Sequence, residues 1–133
     1  MGVPVVGTPI DIAVSGLRAQ ATRMNVIGNN IANANTTRAA DGKPYRRQEV
    51  MLATGAGLAG VKVDQIVNDN SEFTRVYEPT NPQAGSDGYL LTPNVSLPVE
   101  MMNLVAANRA YQANAAVLKR YIEAAEITTE LLK

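Results

Sequence analysis

Residues 96–133 read SLPVEMMNLVAANRAYQANAAVLKRYIEAAEITTELLK. No Gly interrupts the stretch, and its one Pro, Pro98, falls where a first helical turn tolerates it. Leu97, Leu104, Tyr111, Leu118, Ala125 and Leu132 follow one another at intervals of seven. Met101, Asn108, Ala115, Ile122 and Thr129 form a second series, each four residues further on. The double series predicts one long helix carrying a coiled-coil-like stripe, narrow and close-packed because Ala and Asn occupy part of it. At 1.5 Å per residue the helix reaches roughly 50 Å. A compact domain of this size has a radius of gyration near ~14 Å. Such a helix projects beyond its own globule and presents its stripe to partners.

Working back toward the N-terminus, a second helical segment spans Pro9 to about Asn33. Thr8, Pro9 and Asp11 supply an N-cap, a Pro at the first helical position and an acid near the positive end of the helix dipole. Ile10, Val14, Leu17, Ala21, Met24 and Ile31 give it a weaker apolar stripe, interrupted by Gly28. Between the helices, from Asn35 to Pro93, lie six of the ten Gly and four of the seven Pro. Short β-branched runs there predict strands at Tyr45–Ala53, Val61–Val67, Phe73–Glu78 and Gly88–Leu91. Thr54–Gly60 reads as a hairpin connection, and Pro79-Thr-Asn-Pro82 as a turn. The fold class expected is α+β: two long terminal helices forming an inner coiled-coil domain (residues 1–35 and 96–133), with a small β-rich middle segment (36–95).

Composition narrows the chemistry. The 133 residues contain no His, no Cys and no Trp, and twelve acids balance twelve bases. A Ser-His triad, a thiol nucleophile and the usual zinc ligands are all missing. Asp69-Asn70-Ser71-Glu72 lacks the spacing and central Gly of a calcium loop and reads as a polar turn. No cofactor, metal or small-molecule substrate is expected. Zero net charge gives no electrostatic case for nucleic acid or an anionic membrane. Arg46-Arg47 reads as a pair of solvated strand-edge charges. No apolar run approaches the ~20 residues of a membrane span. The opening residues, Met1–Pro9, are too short and uncharged for a secretory signal peptide. Nineteen residues are Ala and only six are aromatic, which favours helix surfaces made for close packing over a thick apolar centre.

One segment is unusual for a helix end: Asn29-Asn-Ile-Ala-Asn-Ala-Asn-Thr-Thr37, part of a run with five Asn between 25 and 35. Asn is mediocre inside helices because its side chain competes for backbone hydrogen bonds. The amides suit an elaborate helix stop, or a contact with neighbouring backbone. Together with Ser15-Gly16-Leu17-x-Ala19, this segment resembles the N-terminal signature of the bacterial flagellar axial proteins, the rod and hook family. Asn108-Arg-Ala-Tyr-Gln-Ala-Asn114 resembles that family's second signature, on its C-terminal helix. Gly42-Lys-Pro-Tyr-Arg-Arg47 follows the Thr pair later than in most members, as it does in a short proximal-rod member. Pro93-Asn94-Val95 ahead of Glu100-Met101 is similar to the same member.

The resemblance implies a structural subunit of the basal-body proximal rod that assembles through its terminal helices into the axial tube transmitting motor torque. It also implies export through the flagellar type III apparatus without a cleaved signal, a place in the periplasmic rod, and other proximal-rod and distal-rod proteins as neighbours. The subunit-interface residues expected are Leu17, Met24, Ile31, Leu104, Tyr111, Leu118 and Ile122 in the helix seams. Asn30, Asn33, Asn35, Thr36, Asn108, Arg109 and Asn114 join them as register-fixing polar contacts. On this reading the terminal helices order only on assembly. The alternative is a two-helix adaptor that docks its heptad stripe on an unrelated partner.

Overall fold

A computed structural model describes residues 8–55 and 60–132. The readings of the N-terminal stretch before Thr8, and of 56–59 in the first hairpin connection, lie outside the described residues. Helix α1 spans Pro9–Ala32 and helix α2 spans Leu97–Leu131. Between them lie β1 (Gln48–Thr54), β2 (Val61–Asn68), β3 (Thr74–Tyr77) and β4 (Tyr89–Thr92). The α+β class read from the sequence is the one observed, with each of the four predicted strand regions present.

The start of α1 follows from three residues. The Thr8 hydroxyl oxygen accepts from the Asp11 backbone N–H at 3.2 Å and its O–H donates to Asp11 Oδ2 at 2.8 Å. Two groups at the helix entrance are thereby satisfied reciprocally. Asn33 ends the helix, its N–H and its Nδ2 both donating to the Asn29 carbonyl. Thr36 then donates its hydroxyl to Asn33 Oδ1 at 3.1 Å and its N–H to the Asn33 carbonyl. Asn33 and Thr36 thus serve the helix stop.

The helices pack antiparallel. Gly16 lies against Asn114, and Asn30 against Glu100, so each helix advances fourteen residues between the two contacts. By that register Pro9 is level with Tyr121, and about ten residues of α2, roughly 15 Å, run on past the start of α1. Both helices are therefore partnered within the chain over most of their length.

The face α2 turns to α1 is not the pair of seams read from the sequence. Its two buried residues are Glu100 and Ala107, with Leu104, Asn114 and Leu118 half-buried beside them. The series on the α1 side, Glu100, Ala107 and Asn114, is itself spaced by seven and lies one residue before the second series read from the sequence, whose Met101 and Asn108 are exposed; Leu104 and Leu118 of the first series flank it. Glu100 was invisible to an apolar pattern because it is charged.

The apolar centre is thin. Among the described residues the buried hydrophobic side chains are Ala13, Ala19, Val26, Ile27, Leu90 and Ala107. Small residues at the crossing let the two axes approach closely. The β1–β2 hairpin pairs antiparallel from Gln48↔Asn68 to Thr54↔Val61, with a register shift between Met51 and Leu52, and both strands pack on α1. Gly60 has φ of 72° and places its backbone against the Ser15 hydroxyl, where a Cβ would collide. That hydroxyl accepts from the Val61 N–H at 3.1 Å. The β3–β4 hairpin, Thr74↔Thr92 to Tyr77↔Tyr89, forms a separate sheet.

A Cβ on Gly16 would lie 2.7 Å from Asn114 Nδ2 and 2.9 Å from its Cγ. Overpacking of this kind costs about 1–3 kcal/mol, against about 1 kcal/mol gained from replacing a helical Gly by Ala. Gly16→Ala is expected to lower the urea midpoint, by about 1 kcal/mol in stability, and Gly16→Ala/Asn114→Ala to regain it. Equal losses with and without Asn114 would show that the clash is elsewhere.

Candidate functional site

Two features stand out from the fold: a polar node buried where the helices meet β1, and exposed apolar faces on α2. The node begins with Asn30, which has no solvent exposure. Its Nδ2 donates to the Gln48 carbonyl at 2.9 Å and to Glu100 Oε2 at 3.4 Å. Its Oδ1 accepts from the Gln48 N–H at 3.0 Å and from the Tyr45 hydroxyl at 2.8 Å. All four hydrogen-bonding positions of the amide are used, and toward Gln48 it behaves as a neighbouring strand would.

Glu100, also without solvent exposure, comes from the first turn of α2. Its Oε1 accepts from Arg47 Nε. Arg47 also pairs through its terminal nitrogen with Glu49 and, at 3.1 Å, with Asp69. Burial alone would lower the Arg47 pKa; the hydrogen bonds to Glu49 and Glu100 outweigh it and hold the pKa above its ordinary value. The Arg47 N–H donates to Asn94 Oδ1 at 2.7 Å. Asn94 Nδ2 reaches the Asp69 carbonyl at 3.0 Å and Ser71. Arg46 donates to the Asp69 and Ser71 carbonyls at 2.8 and 2.9 Å and lies over the Phe73 ring. The reading of Arg46-Arg47 as solvated strand-edge charges is therefore corrected: both are anchored, and Arg47 is the hub of the node.

Asp69-Asn70-Ser71-Glu72 is a turn in which Asp69 Oδ1 accepts from the Ser71 N–H at 2.9 Å. That backbone bond is the main reason the Asp69 pKa is lowered; burial opposes it, and the Ser71 hydroxyl and Arg47 lower it further. Among the described residues no group of three or more His, Cys, Asp or Glu is placed to hold a metal ion.

The remaining residues expected from the sequence are distributed as follows. Leu17, Met24 and Ile31 are half-buried on α1, and Leu104, Asn114 and Leu118 on α2. Asn30 is buried, with its amide engaged by Gln48, Glu100 and Tyr45. Asn35, Asn108, Arg109, Tyr111 and Ile122 are exposed. Beside them α2 exposes Met101, Met102 (73% exposed), Val105, Val117, Tyr121 and Ile127. A groove of about 540 Å3 runs along Met101, Met102, Val105, Ala106 and Arg109. Another of about 300 Å3 follows Ala115, Leu118 and Ile122. The sequence reading missed Met102 and Val105, which sit outside both heptad series, as well as Tyr45, Arg47 and Glu100 as a unit. No described helix is long and apolar enough to cross a membrane.

Removing one partner of a buried ion pair costs about 3–5 kcal/mol. Glu100→Ala and Arg47→Ala are each expected to cost about that much in chemical denaturation, and Arg46→Ala only about 1 kcal/mol. A Glu100→Ala loss no larger than that of Arg46→Ala would contradict the node. Tyr45 supplies a pH test. Burial raises its pKa above 10.0, the bond from Asn29 opposes the rise, and the negative charge of Glu100 adds to it. The folded chain thus holds the phenol proton longer than the unfolded one. This contribution is fully present below pH 10 and is lost as pH rises past it. Stability curves of Tyr45→Phe should be flatter above pH 10 than those of the parent and about 1 kcal/mol lower at neutral pH.

Two family models match the chain: "Flagella basal body rod protein" over residues 10–39 and "Flagellar basal body rod FlgEFG protein C-terminal" over residues 86–131. The chain is 45% identical over 112 residues to the flagellar basal-body rod protein FlgC of Escherichia coli O157:H7, covering 81% of this chain and 84% of that protein. It is 44% identical to FlgC of Salmonella typhimurium, with the same coverage. To FlgC of Bacillus subtilis it is 40% identical over 125 residues, covering 79% of this chain and 83% of the relative. The helix pair, the amide-rich stop of α1 and the anchored Tyr-Arg-Arg segment are thus features of a chain that belongs to the FlgC family of flagellar basal-body rod proteins.

Proposed function

We propose that the chain acts as a structural subunit of the flagellar basal-body rod, built into the axial tube by contacts along its terminal helices. Family membership supports the rod role. The observation that carries the mechanism is the apolar surface that α2 leaves uncovered: Met101, Met102 and Val105 on one side, and Ile122, Ile127, Leu131 and Leu132 beyond the start of α1. Burying a side chain of this size contributes about 1.5–3 kcal/mol. Repeated along a helix in head-to-tail contacts, that burial builds an open tube.

On this reading residues 1–35 and 96–133 form the inner helical domain, and the 36–95 segment faces outward. Asn108, Arg109, Tyr111 and Ile122 contact neighbouring subunits, and Asn35 lies at the edge of the same surface. The partners are other proximal-rod proteins and the distal rod. The flagellar type III apparatus delivers the chain to the periplasmic rod, where it passes torque along the axis. The role is one of packing and involves no catalysed reaction.

Tyr111 and Ile122 are both exposed in the single chain, so their loss should spare its fold. Tyr111→Ala and Ile122→Asp are each expected to leave the circular dichroism spectrum unchanged. In a strain lacking the native gene, each should cut swimming in soft agar about tenfold, as expected for losing an interface anchor worth 1–2 kcal/mol at every copy. Normal swimming by both variants would remove α2 from the subunit interface.

A further inference from the structure

The face of α2 turned away from α1 has a symmetry of its own. Ala107 is buried, and at about 100° per residue Ala116 points roughly 180° away from it, to the opposite side of the helix. Three pairs of residues stand at equal distances on either side of Ala116: Arg109 and Glu123 seven residues away, Val105 and Ile127 eleven, Met102 and Glu130 fourteen. Each of these six falls within about 40° of the Ala116 direction, and all are exposed. They form one stripe about 42 Å long, with a small residue at its centre, opposite charges on either side and apolar groups toward the ends.

A second copy laid antiparallel on this stripe, with the two Ala116 facing, matches it level by level. Each Arg109 comes level with the other copy's Glu123, and each Val105 with the other copy's Ile127. Gln112 comes level with Arg120, so no level sets like charges together. Ala116 lets the two axes approach closely at the centre. Other arrangements match less well. Parallel and in register, Arg109, Arg120, Glu123 and Glu130 each meet their own kind, and juxtaposed like charges repel. Parallel but staggered by fourteen residues, the Arg109–Glu123 contact forms once instead of twice, and Val105 meets Lys119 in place of Ile127.

We infer that the chain pairs with a second copy of itself through the outer face of α2, antiparallel and centred on Ala116. Such a contact is isologous, using the same patch on both copies. It closes on itself and cannot propagate a tube. It also covers Met102, Val105 and Ile127, which the proposed assembly gives to neighbouring subunits. The pair is therefore a form of the chain outside the rod; that placement rests on the rod reading, whereas the pairing itself does not.

Sedimentation equilibrium of the full chain from about 1 μM to about 1 mM should show monomer passing into dimer. The two-fold repeats every contact, so each charge reversal acts twice. Arg109→Glu and Glu123→Arg should each raise the dissociation constant at least about tenfold. Arg109→Glu/Glu123→Arg should return it to within about threefold of the parent. The chain has no Cys, so single engineered cysteines report the geometry. Ala116→Cys should cross-link to its own copy on mild oxidation, because that position lies on the two-fold. Glu130→Cys should not, since its two copies stand twenty-eight residues, or about 42 Å, apart.

The replaced side chains are exposed, and unchanged circular dichroism checks that each variant folds. A chain that stays monomeric over the whole range overturns the pairing. So does a charge reversal that its complement fails to rescue, equal cross-linking at the two positions, or growth beyond two copies. Tyr111 and Ile122 lie about 120° or more from the stripe, so their swimming assay and this measurement fail independently. Normal swimming by those variants would leave the pair intact, and a monomeric chain would leave the rod role intact.

Discussion

A carboxylate with no access to water dictates much of this molecule's arrangement. Glu100 is tolerable in its position only because Arg47 and Asn30 meet it there. Arg47 must in turn be carried to the helix pair by β1, held by Asn94, and balanced by Glu49 and Asp69. Asn30 must be saturated by Gln48 and Tyr45. One buried charge therefore links α1, α2, the first hairpin and the segment leading into α2. Elements that share little apolar surface are joined by polar groups that have few alternative partners. The Arg46 anchor on the Asp69 and Ser71 carbonyls extends the same connection to the end of β2.

The thin apolar centre follows from the same division of labour. Alanines at the crossing contribute close approach and little buried area. Leu104 and Leu118 of α2 are half-buried on the α1 side, while Met101, Met102, Val105 and Ile127 are exposed. A self-sufficient domain would turn them inward. Here the interior is specified by directional hydrogen bonds and charge, while non-directional burial remains available outside. The arrangement suits a subunit whose shape must be set before it meets its neighbours.

How much of this was legible in the residues depended on the kind of signal. Thr8, Pro9 and Asp11 announced α1 because capping is local chemistry, and the β-branched alternation announced the strands. The heptads of α2 gave a helix and its length correctly but misplaced its inner face. The inner series, Glu100, Ala107 and Asn114, lies one residue before Met101, Asn108 and Ala115, and an apolar pattern skips both a buried glutamate and a half-buried asparagine. Asn33 and Thr36 were legible as a helix stop, whereas Asn30, one turn earlier, could not be told from them. Its partners Gln48, Tyr45 and Glu100 are brought to it by the tertiary fold alone. Arg47 misled for the same reason: beside Arg46 in sequence it looks like a surface pair, and only Glu100, fifty-three residues away, makes it interior.

The two classes of surface also separate two kinds of mutational effect. A change inside the node acts on one chain and alters its stability before any neighbour is met. Met102 and Ile122 are exposed in the single chain, so in the proposed assembly a change there acts at the contacts between copies. A subunit of this design can be weakened from within by a few kcal/mol and unfold, because native chains have only about 5–15 kcal/mol in reserve. It can also fold without fault and fail to assemble. In the proposed assembly those two failures map onto different residues, because directional polar contacts hold the chain's own elements together while Met101, Met102 and Val105 of α2 are exposed.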